Sequence, residues 1–136
     1  MSLMHVIIRT DGGSRGNPGP SGCGAVVEDG EGKVLQEISK YIGTATNNIA
    51  EYRAVLFGLR AAKELGATSA EVVADSELMI KQANRIYKVK HPNLRPLYEE
   101  MLGLAQAIGK VTYRHVRREQ NAAADDLANQ AMDRKA

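Results

Sequence analysis

Three β-rich stretches fill the first 42 residues with only glycine-containing turns between them, and every later stretch of this kind is reached through a helix. A strand over 5–10 runs into the segment Asp11-Gly12-Gly13-Ser14-Arg15-Gly16-Asn17-Pro18-Gly19-Pro20. Strands over 22–28 and 33–42 flank the turn Asp29-Gly30-Glu31-Gly32. Apolar β-rich runs bounded by Gly, Pro and Asp clusters read as strands, and short connections between consecutive strands allow only antiparallel pairing. A helix follows over 48–65: Val55, Leu59 and Ala62 continue a row that starts at Glu51, and Gly66 stops it. Then come a strand over 70–75, a helix that Ser76 opens and that reaches about residue 85, and a break at His91-Pro92-Asn93. A helix with Pro96 in its first turn runs to 108, a last strand covers 111–116, and Asn121 caps a final helix with the apolar row Ala124, Leu127, Ala128 and Ala131. The helical crossovers make the first, fourth and fifth strands parallel. The expected fold is α/β: a five-stranded mixed sheet with helices on both faces, as one domain over 1–136.

Four carboxylates sit at or beside the junctions of these elements: Asp11, Glu51, Asp75 and Asp125. If the fold gathers them, each pair at ~4 Å costs on the order of 4 kcal/mol at an effective dielectric of 20. Such a pocket requires cations. Each acid also has an ordinary explanation. Asp11 fits a turn before two glycines; Glu51 fits a capping box with Asn48; Asp75 fits a helix cap, alone or with Ser76; Asp125 complements a helix dipole. Together, those explanations leave unexplained why acids end or open the central elements. The chemistry that uses such a quartet is two-metal phosphoryl transfer, with two hard cations ~4 Å apart. Magnesium suits carboxylate and water oxygens, and manganese is a substitute on the same grounds.

Other readings are weaker. His5, His91 and His115 have no zinc-ligand spacing, and the glycine-rich segment lacks the Lys-Ser/Thr pair of a nucleotide P-loop. Ser14 and Ser76 have no partner base in any hydrolase pattern, and Cys23, the single cysteine, reads as core. No run of 18 apolar residues and no secretory signal is present, so the expectation is a cytoplasmic protein without membrane contact. Met1-Ser2-Leu3 ahead of Met4 reads as a remnant of cloning. A formal net charge of +2 does not by itself argue for a nucleic-acid partner. The basic residues are nevertheless clustered, as Lys81, Arg85, Lys88, Lys90, His91 and Arg95, and again over 114–118. Taken alone, each cluster is equally well a solvated surface.

The motifs resemble those of type I ribonuclease H (ribonuclease HI). The likeness is carried by Thr10-Asp11-Gly12-Gly13 through Gly16-Asn17-Pro18-Gly19-Pro20-Ser21-Gly22-Cys23-Gly24, by Thr46-Asn47-Asn48-Ile49-Ala50-Glu51, by Asp75-Ser76, and by Asn121 with Asp125-Asp126-Leu127-Ala128. It spans about 5–132, in the family's order. The resemblance implies a ribonuclease H-like fold and cleavage of the RNA strand of an RNA–DNA hybrid, leaving 5′-phosphate and 3′-hydroxyl ends. It further implies two Mg²⁺ ions, with Mn²⁺ as a substitute, held by Asp11, Glu51, Asp75 and Asp125. Asn17, Asn47 and Asn48 match minor-groove contacts, where an amide can both donate to and accept from a ribose 2′-hydroxyl. Thr46 matches a DNA-phosphate pocket, Gly12 and Ser76 belong to the acids' motifs, and Glu77 stands where many relatives have glutamine.

Two departures from the family pattern stand out. The stretch 86–98 is too short for the basic helical protrusion of many bacterial members, which implies weaker, strongly salt-dependent binding. His115-Val116-Arg117-Arg118-Glu119-Gln120-Asn121 resembles the archaeal and plant-like branch, in which a loop arginine takes the place of a mobile catalytic histidine. Arg118 is therefore preferred over His115, for product release or for charge neutralisation at the leaving group. The expected partner is the hybrid, bound by a monomer. The rivals are a non-catalytic nucleic-acid-binding module of the same fold and a nuclease with altered choice, such as double-stranded RNA or DNA strand transfer.

Overall fold

A computed structural model describes residues 3–136. Met1 and Ser2, two of the three residues read as a cloning remnant, lie outside the described residues. The elements are β1 (His5–Ser14), β2 (Gly19–Asp29), β3 (Val34–Ala45), α1 (Asn47–Glu64), β4 (Ser69–Ala74), α2 (Glu77–Ala83), α3 (Arg95–Ile108), β5 (Lys110–His115), a 3-10 turn (Arg118–Gln120) and α4 (Ala122–Arg134). The sheet order is β3-β2-β1-β4-β5. β1 pairs antiparallel with β2, and β2 with β3; β1–β4 and β4–β5 are parallel. This is the mixed sheet expected from short turns early in the chain and helical crossovers later.

Side chains alternate across each strand, so successive residues of β1 and β2 serve opposite faces. Val6, Ile8 and Val27 join Tyr52, Val55 and Leu59 of α1 and Met101 of α3 in one core. The Tyr52 hydroxyl is paired with Gln82 Oε1 at 2.5 Å inside this core, which ties α2 to α1. α4 covers the other face, where the Ser39 hydroxyl donates to the Leu127 carbonyl at 2.7 Å. Two glycines set how closely the helices approach. A Cβ on Gly12 would lie 2.1 Å from the Ala50 carbonyl oxygen of α1, and one on Gly24 would lie 2.2 Å from that of Ala124 in α4. Each contact lies one residue from an acid, Glu51 in the first case and Asp125 in the second.

Several boundaries differ from expectation. The glycine-rich segment is not a ten-residue turn: β1 continues to Ser14, which faces Ser21, and the Arg15 N–H donates to the Pro20 carbonyl to close the turn. Glycines and prolines look like loop in a sequence, but here the ladder and the helices on both faces supply what their side chains lack. Asp11 is therefore a strand residue opposite Gly24, not a turn residue. α1 starts one residue earlier than expected, and its cap is Thr46, whose hydroxyl accepts the Ile49 N–H at 3.2 Å. α2 is shorter than expected, ending at Ala83 before Arg85, which sits at φ 63. Asn121 occupies the cap position of α4 without capping it; its side chain is used elsewhere. Among the described residues no helix lies between α2 and α3, where residues 84–94 run as turns and irregular chain. No described helix is long and apolar enough to cross a membrane.

Candidate active site

The parallel register of β1 and β4 brings the first two acids side by side. Thr10 pairs with Ala74, the last matched residues of the ladder, so Asp11 and Asp75 each follow directly where the two strands part. The close contact at Gly12 delivers Glu51 from α1, and that at Gly24 delivers Asp125 from the first turn of α4. All four acids line one cavity of about 340 Å³, together with Gly12, Gly13, Ser14, Arg15, Asn47, Arg118 and Asn129. A larger cavity of about 720 Å³ beside β5 is lined by Arg85, Gln106 and Tyr113 and contains no carboxylate. Size does not mark the chemistry here.

Crowding leaves an electrostatic signature. Burial, a hydrogen bond shared with Asp125, and the charges of Asp75, Asp125 and Glu51 push the Asp11 carboxyl up to about 8. Burial also raises Glu51; the Ser76 hydroxyl pulls it down, the Asp75 charge pushes it up, and the Asn47 amide pulls it down. Without a cation, burial and the neighbouring charges favour a proton on the Asp11–Asp125 side of the cluster. Cys23, fully buried, is pushed up to about 12 by burial and is inert.

The capping-box explanation of Glu51 fails. Its carboxylate accepts from the Asn47 side chain at 3.0 Å rather than from a backbone N–H, while Asn47 Oδ1 accepts the Ser14 N–H at 3.2 Å. The cap of α2 is Ser76, whose hydroxyl accepts the Met79 N–H, so Asp75 is free of that duty. Asp125 does lie at a helix N-terminus, and it also accepts from Arg118 and from Asn129, both at 3.4 Å. Arg118 thus belongs to the cavity. His115 is the last residue of β5, beside Ala74, and is not among the cavity's lining residues.

The Reverse transcriptase-like family matches residues 9–131. The chain is 50% identical over 131 residues to a bifunctional protein of Mycobacterium tuberculosis, of which it spans 36%. The N-terminal RNase H domain of that protein, solved as a fusion with maltose-binding protein, superposes with TM-score 0.94 at 49% identity, covering 96% of this chain and 95% of that one. RNase H1 of the archaeon Halobacterium salinarum gives TM-score 0.93 at 38% identity, with 96% and 98% covered. LC11-RNase H1 in complex with an RNA/DNA hybrid gives TM-score 0.92 at 41% identity, again with 96% and 98% covered. The chain belongs to the ribonuclease H family.

In this ribonuclease H domain the other expected contacts fall into two groups. Asn17, Thr46 and Asn48 line a second, smaller cavity with Ile49, His91 and Leu94, and Asn17 Oδ1 accepts the Asn47 N–H at 3.1 Å. Asn47 turns the other way, into the acid cavity, where its amide is already bonded to Glu51 and Ser14. Glu77 lines neither cavity. It is exposed and paired with Lys81 at 2.7 Å, which with burial nearly absent holds its carboxyl below the usual range. Sequence reasoning missed Arg15 and Asn129 in the acid cavity and His91 in the second. Asn129 follows Asp125 by one helical turn and was legible on that ground; Arg15 was hidden in a segment read as turn.

The donors in the acid cavity suit a hard divalent cation. They are carboxylate oxygens, with no imidazole or thiol among the lining residues, which favours magnesium or manganese over zinc. Among the described residues no three such side chains converge tightly enough to form a complete ligand cage.

Proposed function

We propose that this domain is a metal-dependent endoribonuclease that hydrolyses the RNA strand of RNA–DNA hybrids, leaving 5′-phosphate and 3′-hydroxyl ends. The observation that carries the reading is the convergence of Asp11, Glu51, Asp75 and Asp125, from four separate elements, on one open cavity. Its support from relatives is the hybrid-bound LC11-RNase H1, which this chain matches over nearly its whole length.

In this reading the four acids hold two Mg²⁺ ions. When bound, such a pair would supply activation of the attacking water and charge stabilisation at the departing oxygen. Asn47 fixes the Glu51 carboxylate, and Ser76 and Asn129 steady the oxygens of Glu51 and Asp125. Arg118, permanently charged, acts by neutralising charge or aiding release and cannot serve as a base. Asn17, Thr46 and Asn48 bind the hybrid away from the acids, in the second cavity.

The test is cleavage of one sequence presented as RNA–DNA hybrid, duplex RNA and duplex DNA, with Mg²⁺ and with EDTA. The expected result is hybrid cleavage that EDTA abolishes. Binding without cleavage would favour the non-catalytic module, and equal cleavage of duplex RNA would favour altered substrate choice.

A further inference from the structure

Arg15 lies in the turn between β1 and β2 and is among the residues lining the acid cavity. Its guanidinium reaches across to α4, where Nη1 pairs with Asp133 at 2.7 Å and Nη2 donates to the Asn129 carbonyl at 3.5 Å. Both partners of the ion pair are well exposed, 47% for Arg15 and 63% for Asp133. Exposed pairs of this kind contribute little to stability, so folding does not account for the placement. The arrangement also leaves donors free: a guanidinium has five N–H groups, and two are engaged.

Its position along α4 gives it a direction relative to the acids. Asn129 and Asp133 follow Asp125 by one and two helical turns, ~6 and ~12 Å by helix rise. Arg15 therefore occupies the end of the cavity away from Arg118, which bonds Asp125 itself. A nucleic-acid strand whose reacting phosphate sits at the acids extends past them, and its next phosphates need a cation. A planar guanidinium matches a phosphate with two parallel hydrogen bonds.

We propose that Arg15 binds a backbone phosphate of the strand being cut, adjacent to the reacting one, and that Asp133 holds the guanidinium in waiting and competes with that phosphate. The proposal rests on the hybrid-cleaving reading above. Arg15 is then a substrate-binding residue, and Asp133 a positioning residue that tunes it.

The experiment is steady-state cleavage of an RNA–DNA hybrid in Mg²⁺ over a series of KCl concentrations, for the wild type, Arg15→Ala, Arg15→Lys and Asp133→Asn. Arg15→Ala is expected to raise KM about tenfold with kcat little changed, and to reduce the slope of log(kcat/KM) against log salt by about one. Arg15→Lys should keep the slope while recovering part of the KM. Asp133→Asn should lower KM, because the competing carboxylate is gone. A single uncharged methylphosphonate beside the cleavage site in the RNA strand should erase the difference between wild type and Arg15→Ala; the same linkage in the DNA strand should not. If wild type cleaves hybrid and Arg15→Ala changes only thermal stability, with KM and salt slope intact, the proposal is wrong and the hybrid-cleaving reading stands. If wild type leaves the hybrid uncut in Mg²⁺, both fall together.

Discussion

The side-chain amide of Asn121 donates to the Thr10 carbonyl at 2.8 Å, across 111 residues of chain. Thr10 directly precedes Asp11 at the end of the β1–β4 ladder, and the Asn121 carbonyl accepts the Asp125 N–H at 3.1 Å. One buried residue thus holds together the backbones that carry two of the four acids. Asn121 is 1% exposed, so removing its amide leaves the buried Thr10 carbonyl without this partner. Asn121→Ala is expected to cost about 1–3 kcal/mol in urea unfolding, and to weaken Mg²⁺ activation beyond what the lost stability explains.

Gly24 makes a companion case. Opposite Asp11 on the ladder and against the Ala124 carbonyl, it has no room for a Cβ. Gly24→Ala must push α4, with Asp125, away from the sheet. Overpacking of this kind costs about 1–3 kcal/mol. The activity loss should exceed that of an equally destabilising core substitution such as Val72→Ala, compared in the same cleavage assay.

These two contacts also mark the boundary of what could be read from the chain. The order of elements, the crossovers and the four acids were legible because apolar periodicity and short turns are local signals. Asp11 was misplaced in a turn because Gly12 and Gly13, which follow it, carry no side chain to declare a strand. The reason such positions are glycine lies in helices far along the chain: Ala50, 38 residues on, sits against Gly12, and Ala128, 106 residues on, sits against Gly22. Thr46 displaced Asn48 as the helix cap for a similar reason: Asn47 is claimed by Ser14 and Glu51, and Asn17 takes the Asn47 N–H. Arg15 showed nothing at all, since its meaning depends on α4.

The metal-free protein should lose stability as pH rises. Asp11, at about 8 when folded, and Glu51, also raised, both bind protons more tightly folded than unfolded. Their contribution is complete below the ordinary carboxylate range near 4 and is lost as pH climbs toward about 8. Asp29, held low chiefly by the Lys33 backbone N–H, and Glu77, held low by Lys81, act in the opposite sense, but only at acid pH. Melting temperatures in EDTA between about pH 5 and pH 8 should therefore fall, and Mg²⁺ should raise them most at the alkaline end. Asp11→Asn should flatten the slope; an unchanged slope would contradict the assignment of the proton to Asp11.

Arg118 and His115 can be separated by kinetics. Arg118 reaches Asp125, whereas His115 ends β5 beside Ala74 and is not among the residues lining the acid cavity. Arg118→Ala is expected to lower steady-state turnover by tenfold or more, equivalent to roughly 1.4 kcal/mol of transition-state or release energy. His115→Ala should stay near the wild-type rate. Single-turnover measurements then tell chemistry from product release, and slowing by His115→Ala alone would reverse the preference.

If the four acids work together as one metal-dependent cleavage site, Asp75→Asn should disable it. The substitution keeps the shape of a residue that neither caps α2 nor supports the ladder, so the fold should persist by circular dichroism and thermal melting. Hybrid cleavage in saturating Mg²⁺ should fall by about a thousandfold, in line with several kcal/mol of lost stabilisation. A folded Asp75→Asn protein that cleaves the hybrid at the wild-type rate would show that the four acids do not form such a site.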